Sequence, residues 1–372
     1  MRKSIQSFIL CAVMCCSMGG CSLVGGGVSS TEPSLTVTIT KGTGEVYPYA
    51  QEMVNYLRAP AGMDVARYAT NIKNQAKAVV LAWECDCEVK KFVLSYGVAG
   101  STQKTEVTLS GDTYSYELFN LFKGTEYDWS VTATSKNGAL SATAAATFKT
   151  TDKGPRVMQI DGIYNTRDLG GYTTESGKRT KQGLVYRGGS LLPADVYNSN
   201  ITIDGKLFMA EVLQIKTDLD LRGAGSEVGD IKESPIPNAT LKYIATDGYA
   251  SAFRITENFR QVFSFLADEN NYPVYMHCTG GADRTGTVAF LFNALLGVSE
   301  AELIQDYEIT TFSIYNTRST QSGAYAEMFQ EFLNKLYTYE GETLSQKTEN
   351  YMLSIGVTQA EIDSIRTIML GE

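Results

Sequence analysis

Residues 275–286 read Tyr-Met-His-Cys-Thr-Gly-Gly-Ala-Asp-Arg-Thr-Gly, and this stretch does most to narrow the folds open to the chain. A short apolar run ends at a thiol, a turn with two glycines follows, and the residues after it, Val288 to Leu296, are almost wholly apolar. A helix apolar on every side must be buried, so the pattern is a strand, a tight turn and an enclosed helix. Backbone N–H groups of such a turn form a nest for an anion, and the start of the helix adds partial positive charge. The same dipoles favour the thiolate of Cys278 and make it a nucleophile. Arg284 carries a planar fork suited to two oxygens of a phosphoryl group. Thr279, Gly280, Gly281 and Ala282 would supply the rest of the cradle, and Thr285 a hydroxyl to assist the sulfur as it leaves.

The run from His277 to Gly286 resembles the signature loop of the cysteine-dependent tyrosine and dual-specificity phosphatases, in which Cys and Arg stand at this spacing after a His. More narrowly it is similar to a bacterial branch whose loop carries Asp-Arg-Thr-Gly and which includes lipid-active members. Asn165-Thr166-Arg167-Asp168-Leu169-Gly170-Gly171-Tyr172, Tyr186-Arg187-Gly188-Gly189-Ser190, Asp220-Leu221-Arg222 and Asp306-Tyr307 match signatures of the same branch. The resemblance implies a phosphomonoester hydrolase working through a phospho-cysteine, with no cofactor. Two aspartates compete for the role of general acid. Asp283 lies in the loop itself, where related bacterial enzymes are thought to use it; Asp247 follows a predicted strand, about where tyrosine phosphatases carry a mobile acid loop. Asp283 is slightly favoured, although a helix N-cap is an equally natural use for it. His277, the single histidine, is expected to orient the loop and tune the thiolate, because a metal role would need companions the chain lacks. Arg167, Asp168 and Arg222 read as structural or substrate-side charges. Ala282 stands where lipid-active members often have lysine, which weakens the case for polyphosphorylated inositides.

With 372 residues, two domains are expected. A net charge of −9 argues against nucleic acid as partner, so attraction for phosphate must be local. Met1-Arg2-Lys3 followed by the apolar run around Phe8-Ile9-Leu10 reads as a signal peptide over residues 1–21. Gly19-Gly20-Cys21-Ser22 resembles a bacterial lipobox, which makes Cys21 the lipidated first residue of the mature chain; Cys15 and Cys16 fit less well. The implied address is the cell envelope, with Ser22 favouring the outer membrane, and the membrane contact is the N-terminal lipid. Residues 22–33 read as a Gly- and Ser-rich tether. Cys85 and Cys87 lie two apart near a strand end and are not read as a disulfide or a zinc site.

From residue 34 to 151 short alternating strands recur: Leu35 to Thr40, Val79 to Trp83, Phe92 to Tyr96 and Tyr127 to Ala133, closed by Phe148 to Thr151. A short helix is placed within Tyr47–Thr70. Trp83 and the Leu121, Gly124, Thr125, Tyr127 spacing resemble a fibronectin type III sandwich, although another β-sandwich could show the same residues. Tyr96, Tyr114, Tyr116 and Trp129 read first as core or cross-strand pairs, and second as a carbohydrate- or protein-binding face. Lys153-Gly154-Pro155 marks the boundary. Beyond it, over 155–372, strands (Leu184–Arg187, Ile215–Leu221, Lys242–Thr246, Pro273–Cys278) alternate with helices (Leu207–Leu213, Ile255–Leu266), which implies a mainly parallel sheet flanked by helices. Ser299 with Glu302 and Thr358 with Glu361 read as capping boxes. The expected protein is therefore an α/β phosphatase domain behind an all-β fibronectin-like sandwich, acting on a phosphorylated protein or small molecule. Two alternatives stay open: an inositol-phosphate or phosphoinositide phosphatase, and a non-catalytic phospho-ligand-binding or adhesive lipoprotein.

Overall fold

Alternation of apolar and polar residues builds the first layer pair. The computed structural model describes residues 34–69, 75–192, 199–223, 231–313 and 317–371; the leader, Cys21 and the 22–33 tether lie outside them. Strand β1 (Val37–Lys41) and β2 (Gly44–Val46) are followed by helix α1 (Gln51–Leu57), then by β3 (Val79–Cys85), β4 (Val89–Val98), β5 (Thr105–Ser110), β6 (Ser115–Leu118), β7 (Glu126–Ser135) and β8 (Ser141–Thr150). They form a three-stranded sheet, β1-β3-β6, and a five-stranded sheet, β2-β8-β7-β4-β5. In β7 the residues Tyr127, Trp129, Val131 and Ala133 all turn inward, the period of two that one buried face requires. Trp83 packs edge-on against Phe92 with ring centroids 5.5 Å apart, and Tyr127 accepts the Phe122 N–H at 2.8 Å, the tyrosine corner of such sandwiches. Trp129 is buried with its Nε1 donating to the Gly42 carbonyl, and Tyr96 pairs with Tyr116 at 6.1 Å, so these rings serve the core. Tyr114 alone of the four is exposed. Cys85 and Cys87 are free thiols, and with the carboxylate of Asp86 their ligand atoms lie within 4.8 Å of one another.

The second layer system begins with β9 (Arg156–Val157) and β10 (Arg167–Asp168), then β11 (Val185–Gly188), α2 (Ile203–Leu207), β12 (Thr217–Asp220), β13 (Thr240–Tyr243), α3 (Thr256–Leu266), β14 (Val274–His277), α4 (Arg284–Leu295), α5 (Glu300–Ile309), α6 (Ala324–Tyr337), α7 (Leu344–Ser354) and α8 (Gln359–Leu370). The sheet order is β13-β12-β14-β11-β10-β9, parallel through the first four strands and antiparallel at β10 and β9. Central β14 is buried along its whole length, as expected of a strand covered on both faces. Nearly all of α4 is buried too. The helix expected at Leu207–Leu213 starts earlier: Thr202 caps α2 by accepting the Gly205 N–H, and Phe208–Val212 continues as one wider π-helical turn. The strand expected at Lys242–Thr246 is instead Thr240–Tyr243. Thr358 and Glu361 make a full capping box, whereas Glu302 takes the hydroxyl of Ser299 rather than its N–H, so that box is half formed. Among the described residues no helix is long and apolar enough to cross a membrane.

The sandwich does not hang from the α/β layers by a bare linker. Buried Arg156 reaches buried Asp168 at 2.8 Å and the carbonyls of half-buried Asn120 and Leu121, while Arg179–Asp152 is largely exposed. The exposed pair adds at most about 1 kcal/mol, so the junction is held by the Arg156 cluster and by α1 residues Met53, Val54 and Leu57 packed with Val157, Ile309 and Phe312.

Candidate active site

Cys278 follows the last residue of β14, at the carboxyl end of the central strand, where ligands of open α/β sheets gather. The loop from Thr279 to Asp283 then turns back into α4. Its carbonyls are tied outward: Thr279 O accepts the Ser190 N–H at 3.0 Å, Gly280 O accepts Asn165 Nδ2 at 2.9 Å, and Gly281 O accepts Arg187 Nη2 at 2.6 Å. In a trans peptide the N–H points opposite to the C=O. Anchoring three carbonyls behind the loop therefore turns the amides of Gly280, Gly281 and Ala282 toward the front, which makes an anion nest. The fit behind is tight. Gly281 has φ +65°, and a Cβ there would fall 2.2 Å from the Gly188 carbonyl oxygen.

The rear wall is a buried charge cluster centred on Asp306. Its carboxylate takes Arg167 Nε at 2.7 Å and Arg187 Nη1 at 2.6 Å, while Arg167 also bonds Asn165 Oδ1 and Thr310 Oγ1. Burial would raise the Asp306 pKa, but the two guanidinium groups outweigh it and hold it below the ordinary value. Burial pulls Arg187 down to about 10, helped by Arg167 and opposed by Asp306 and Cys278. Arg167 is thus structural, as is Asp168 beneath Arg156, and Arg222 grips Asp220 at 2.7 Å. Arg187 and Asn165, which sequence reading left without a role, are the residues that shape the loop. Only their place in two short motifs pointed to them.

His277 lies beside Asp220 in the strand register, and its Nε2 meets Asp218 Oδ1 at 2.9 Å while Nδ1 lies 3.2 Å from its neighbour's carbonyl, Cys278 O. Burial alone would lower its pKa; Asp218 and Asp220 reverse that and raise it above 6.5. A raised histidine contributes stability that is full below about pH 6.5 and is lost as pH climbs through the folded value. The melting-temperature gap between wild type and Asp218→Asn should therefore shrink from about pH 6 to about pH 9. An unchanged gap across that range contradicts the pairing.

In front of the loop is a cavity of about 250 Å³ lined by Cys278, Thr279, Gly280, Ala282, Asp283, Arg284 and Asp247, with Arg318 and Tyr325 forming one wall. Cys278 is 5% exposed at its floor. Both aspartates reach this cavity, but in different company. Asp283 stands at the N-cap position of α4, but its side chain makes no cap bond; its oxygens take Arg318 Nε at 2.7 Å and Arg318 Nη2 at 2.8 Å, together with the Tyr249 hydroxyl at 2.5 Å, which also lies 2.9 Å from the Tyr307 hydroxyl. Among the described residues, exposed Asp247 accepts from neutral donors, the Gly248 N–H at 2.8 Å and the Ser251 hydroxyl at 3.1 Å. Among the described residues the buried hydroxyl of Thr285 meets no hydrogen-bond partner. Arg318 gave no signal in the sequence, since it lies in an irregular stretch with no motif.

Residues 158–371 match the model of the tyrosine phosphatase family. A protein of Cupriavidus necator carrying the provisional name tyrosine-protein phosphatase is 25% identical over 198 residues, covering 46% of this chain and 70% of the relative. A tyrosine-protein phosphatase of Nostoc commune is 29% identical over 136 residues, 31% of this chain and 44% of the relative. Among solved structures, the core catalytic domain of the PP-IP phosphatase SIW14 from S. cerevisiae aligns over 49% of this chain and 94% of its own at 13% identity, with a TM-score of 0.30. Because the family match takes in more than half of the sequence and contains the whole cavity floor, the chain belongs to the tyrosine phosphatase family.

Proposed function

We propose that the protein hydrolyses phosphate monoesters by way of a phospho-cysteine on Cys278, and that Asp247, not Asp283, is the acid. The outward anchoring of the loop carbonyls carries the first part, because it leaves amide hydrogens to hold the three phosphoryl oxygens. The Cys278 sulfur attacks phosphorus, the bond from phosphorus to the ester oxygen breaks, and Asp247 protonates that oxygen. Water then attacks phosphorus, gives a proton back to Asp247, and the sulfur leaves as thiolate with inorganic phosphate released. Arg284 balances charge in both steps. The buried Thr285 hydroxyl, which meets no partner among the described residues, is available to the departing sulfur.

The choice of Asp247 rests on donor accounting. Among the described residues, the side chains bonded to the Asp283 carboxylate are donors and one is a cation, so a protonated Asp283 would forfeit a charge-assisted bond to Arg318. Asp247→Asn should cost about 10²-fold in kcat/KM on phenyl phosphate and much less on p-nitrophenyl phosphate, whose leaving group needs no proton. Equal losses on the two esters would remove Asp247 from the role.

For substrate, the same cavity favours a single phosphate on an aromatic or flat carrier. Arg318 is already neutralised by Asp283, Ala282 adds no charge, and Tyr325 offers an aromatic wall. A competition panel of phosphotyrosine, phosphoserine, a phosphosugar and an inositol polyphosphate tests this; preference for the polyphosphate contradicts it. The leader and Cys21 support an enzyme held at the cell envelope by lipid. Radiolabelled palmitate incorporated into the wild type and absent from Cys21→Ser is the expected outcome, and equal labelling rules that anchor out.

A further inference from the structure

The segment that supplies Arg318 is held from a distance. Between β2 and β3 the sandwich carries an insertion whose residues Tyr49, Met53, Val54, Tyr56, Leu57, Val65 and Ala76 share one apolar cluster with Val157, Ile309 and Phe312 of the α/β layers. Tyr56 donates its hydroxyl to the buried carboxylate of Glu308, and Gln75 Nε2 donates to Ile309 O at 2.5 Å. Glu308 in turn accepts the N–H and hydroxyl of Thr320 at 2.9 and 2.7 Å. Directly beside Arg318, Ser319 donates its hydroxyl to Asp64 at 2.8 Å, and Gln321 Nε2 donates to Gly62 O at 3.0 Å. Arg318 sits over Tyr325, its guanidinium carbon 3.6 Å from the ring centroid, and closes on Asp283.

We infer that the sandwich insertion is a positioning part of the active site: Asp64 and Gly62 fix residues 319–321, and through them Arg318 fixes Asp283 and one wall of the substrate cavity. An unanchored arginine of four rotatable bonds spends much of its time in other rotamers, and each bond that fixes its backbone reduces that loss. The sandwich is then not a spacer. Asp64 itself does not line the cavity, so it touches no substrate and acts only through Arg318.

The inference rests on the hydrolase reading, and its test separates the two. With p-nitrophenyl phosphate, Asp64→Ala in the full chain should raise KM, and Ki for vanadate, about fivefold with kcat changed less, the size expected from one lost hydrogen bond. Ser319→Ala removes the same bond from the other side and should match it, which guards against a fold defect in either variant. In an Arg318→Ala background, Asp64→Ala should have no further effect on KM. Wild-type KM in both single variants, or effects of Asp64→Ala and Arg318→Ala that simply add, overturns the inference. A wild-type enzyme with no activity on any monoester overturns the hydrolase reading instead.

Discussion

Cys278→Ser is expected to lose hydrolysis of p-nitrophenyl phosphate by on the order of 10⁴-fold or more while the protein stays folded. Serine keeps the size and fits the same floor, 5% exposed between β14 and the loop, so little packing is lost. What goes is the sulfur nucleophile: the amides of Gly280, Gly281 and Ala282 cannot make an alkoxide of the serine hydroxyl at neutral pH. Binding should persist. Inorganic phosphate or vanadate should still bind the variant, because the nest and Arg284 are untouched. Residual turnover near the wild-type rate would exclude the phospho-cysteine route.

The largest loss of stability is expected at Asp306, away from the reacting atoms. Asp306→Ala leaves the buried guanidinium groups of Arg167 and Arg187 facing each other with no carboxylate between them. Breaking such a pair costs about 3–5 kcal/mol, several times the value of an exposed pair. For a chain of this size that is a fall of roughly 10 °C in Tm. Arg187 would also release the Gly281 carbonyl, so activity should fall further than stability alone explains. Differential scanning calorimetry with kinetics well below the new Tm separates the two effects. A Tm within about 2 °C of wild type would show that the cluster is not held by this carboxylate.

Much of this could be read from the chain because it depends on neighbours in sequence. The apolar run after Cys278 had to be a buried helix, the glycines had to be a turn, and the thiol and Arg284 had to face each other across it. The period of two through Tyr127, Trp129 and Val131 likewise fixed the sandwich face. Contacts brought together by topology could not be read that way. Asp247 and Asp283 both line the cavity, yet what sets their surroundings apart is Arg318, which arrives from beyond α5 with no periodicity or motif. The insertion around α1 showed its helix but not its partner, because the surface it covers, Ile309 and Phe312, looks like ordinary core. The apolar residues of the π-helical turn at Phe208–Val212 keep a helical spacing and so stand out in the sequence, while Gly205 weakens the signal of the first turn before it.

The most direct test of the central claim is to trap the intermediate. Asp247→Asn should still be phosphorylated by p-nitrophenyl phosphate but release phosphate slowly, so acid-quenched enzyme should carry phosphate. Mass spectrometry of the digest is expected to find it on the peptide holding Cys278, and to find none in the double variant with Cys278→Ser. Steady hydrolysis with no phosphate on that peptide, or phosphate on another residue, would contradict the account.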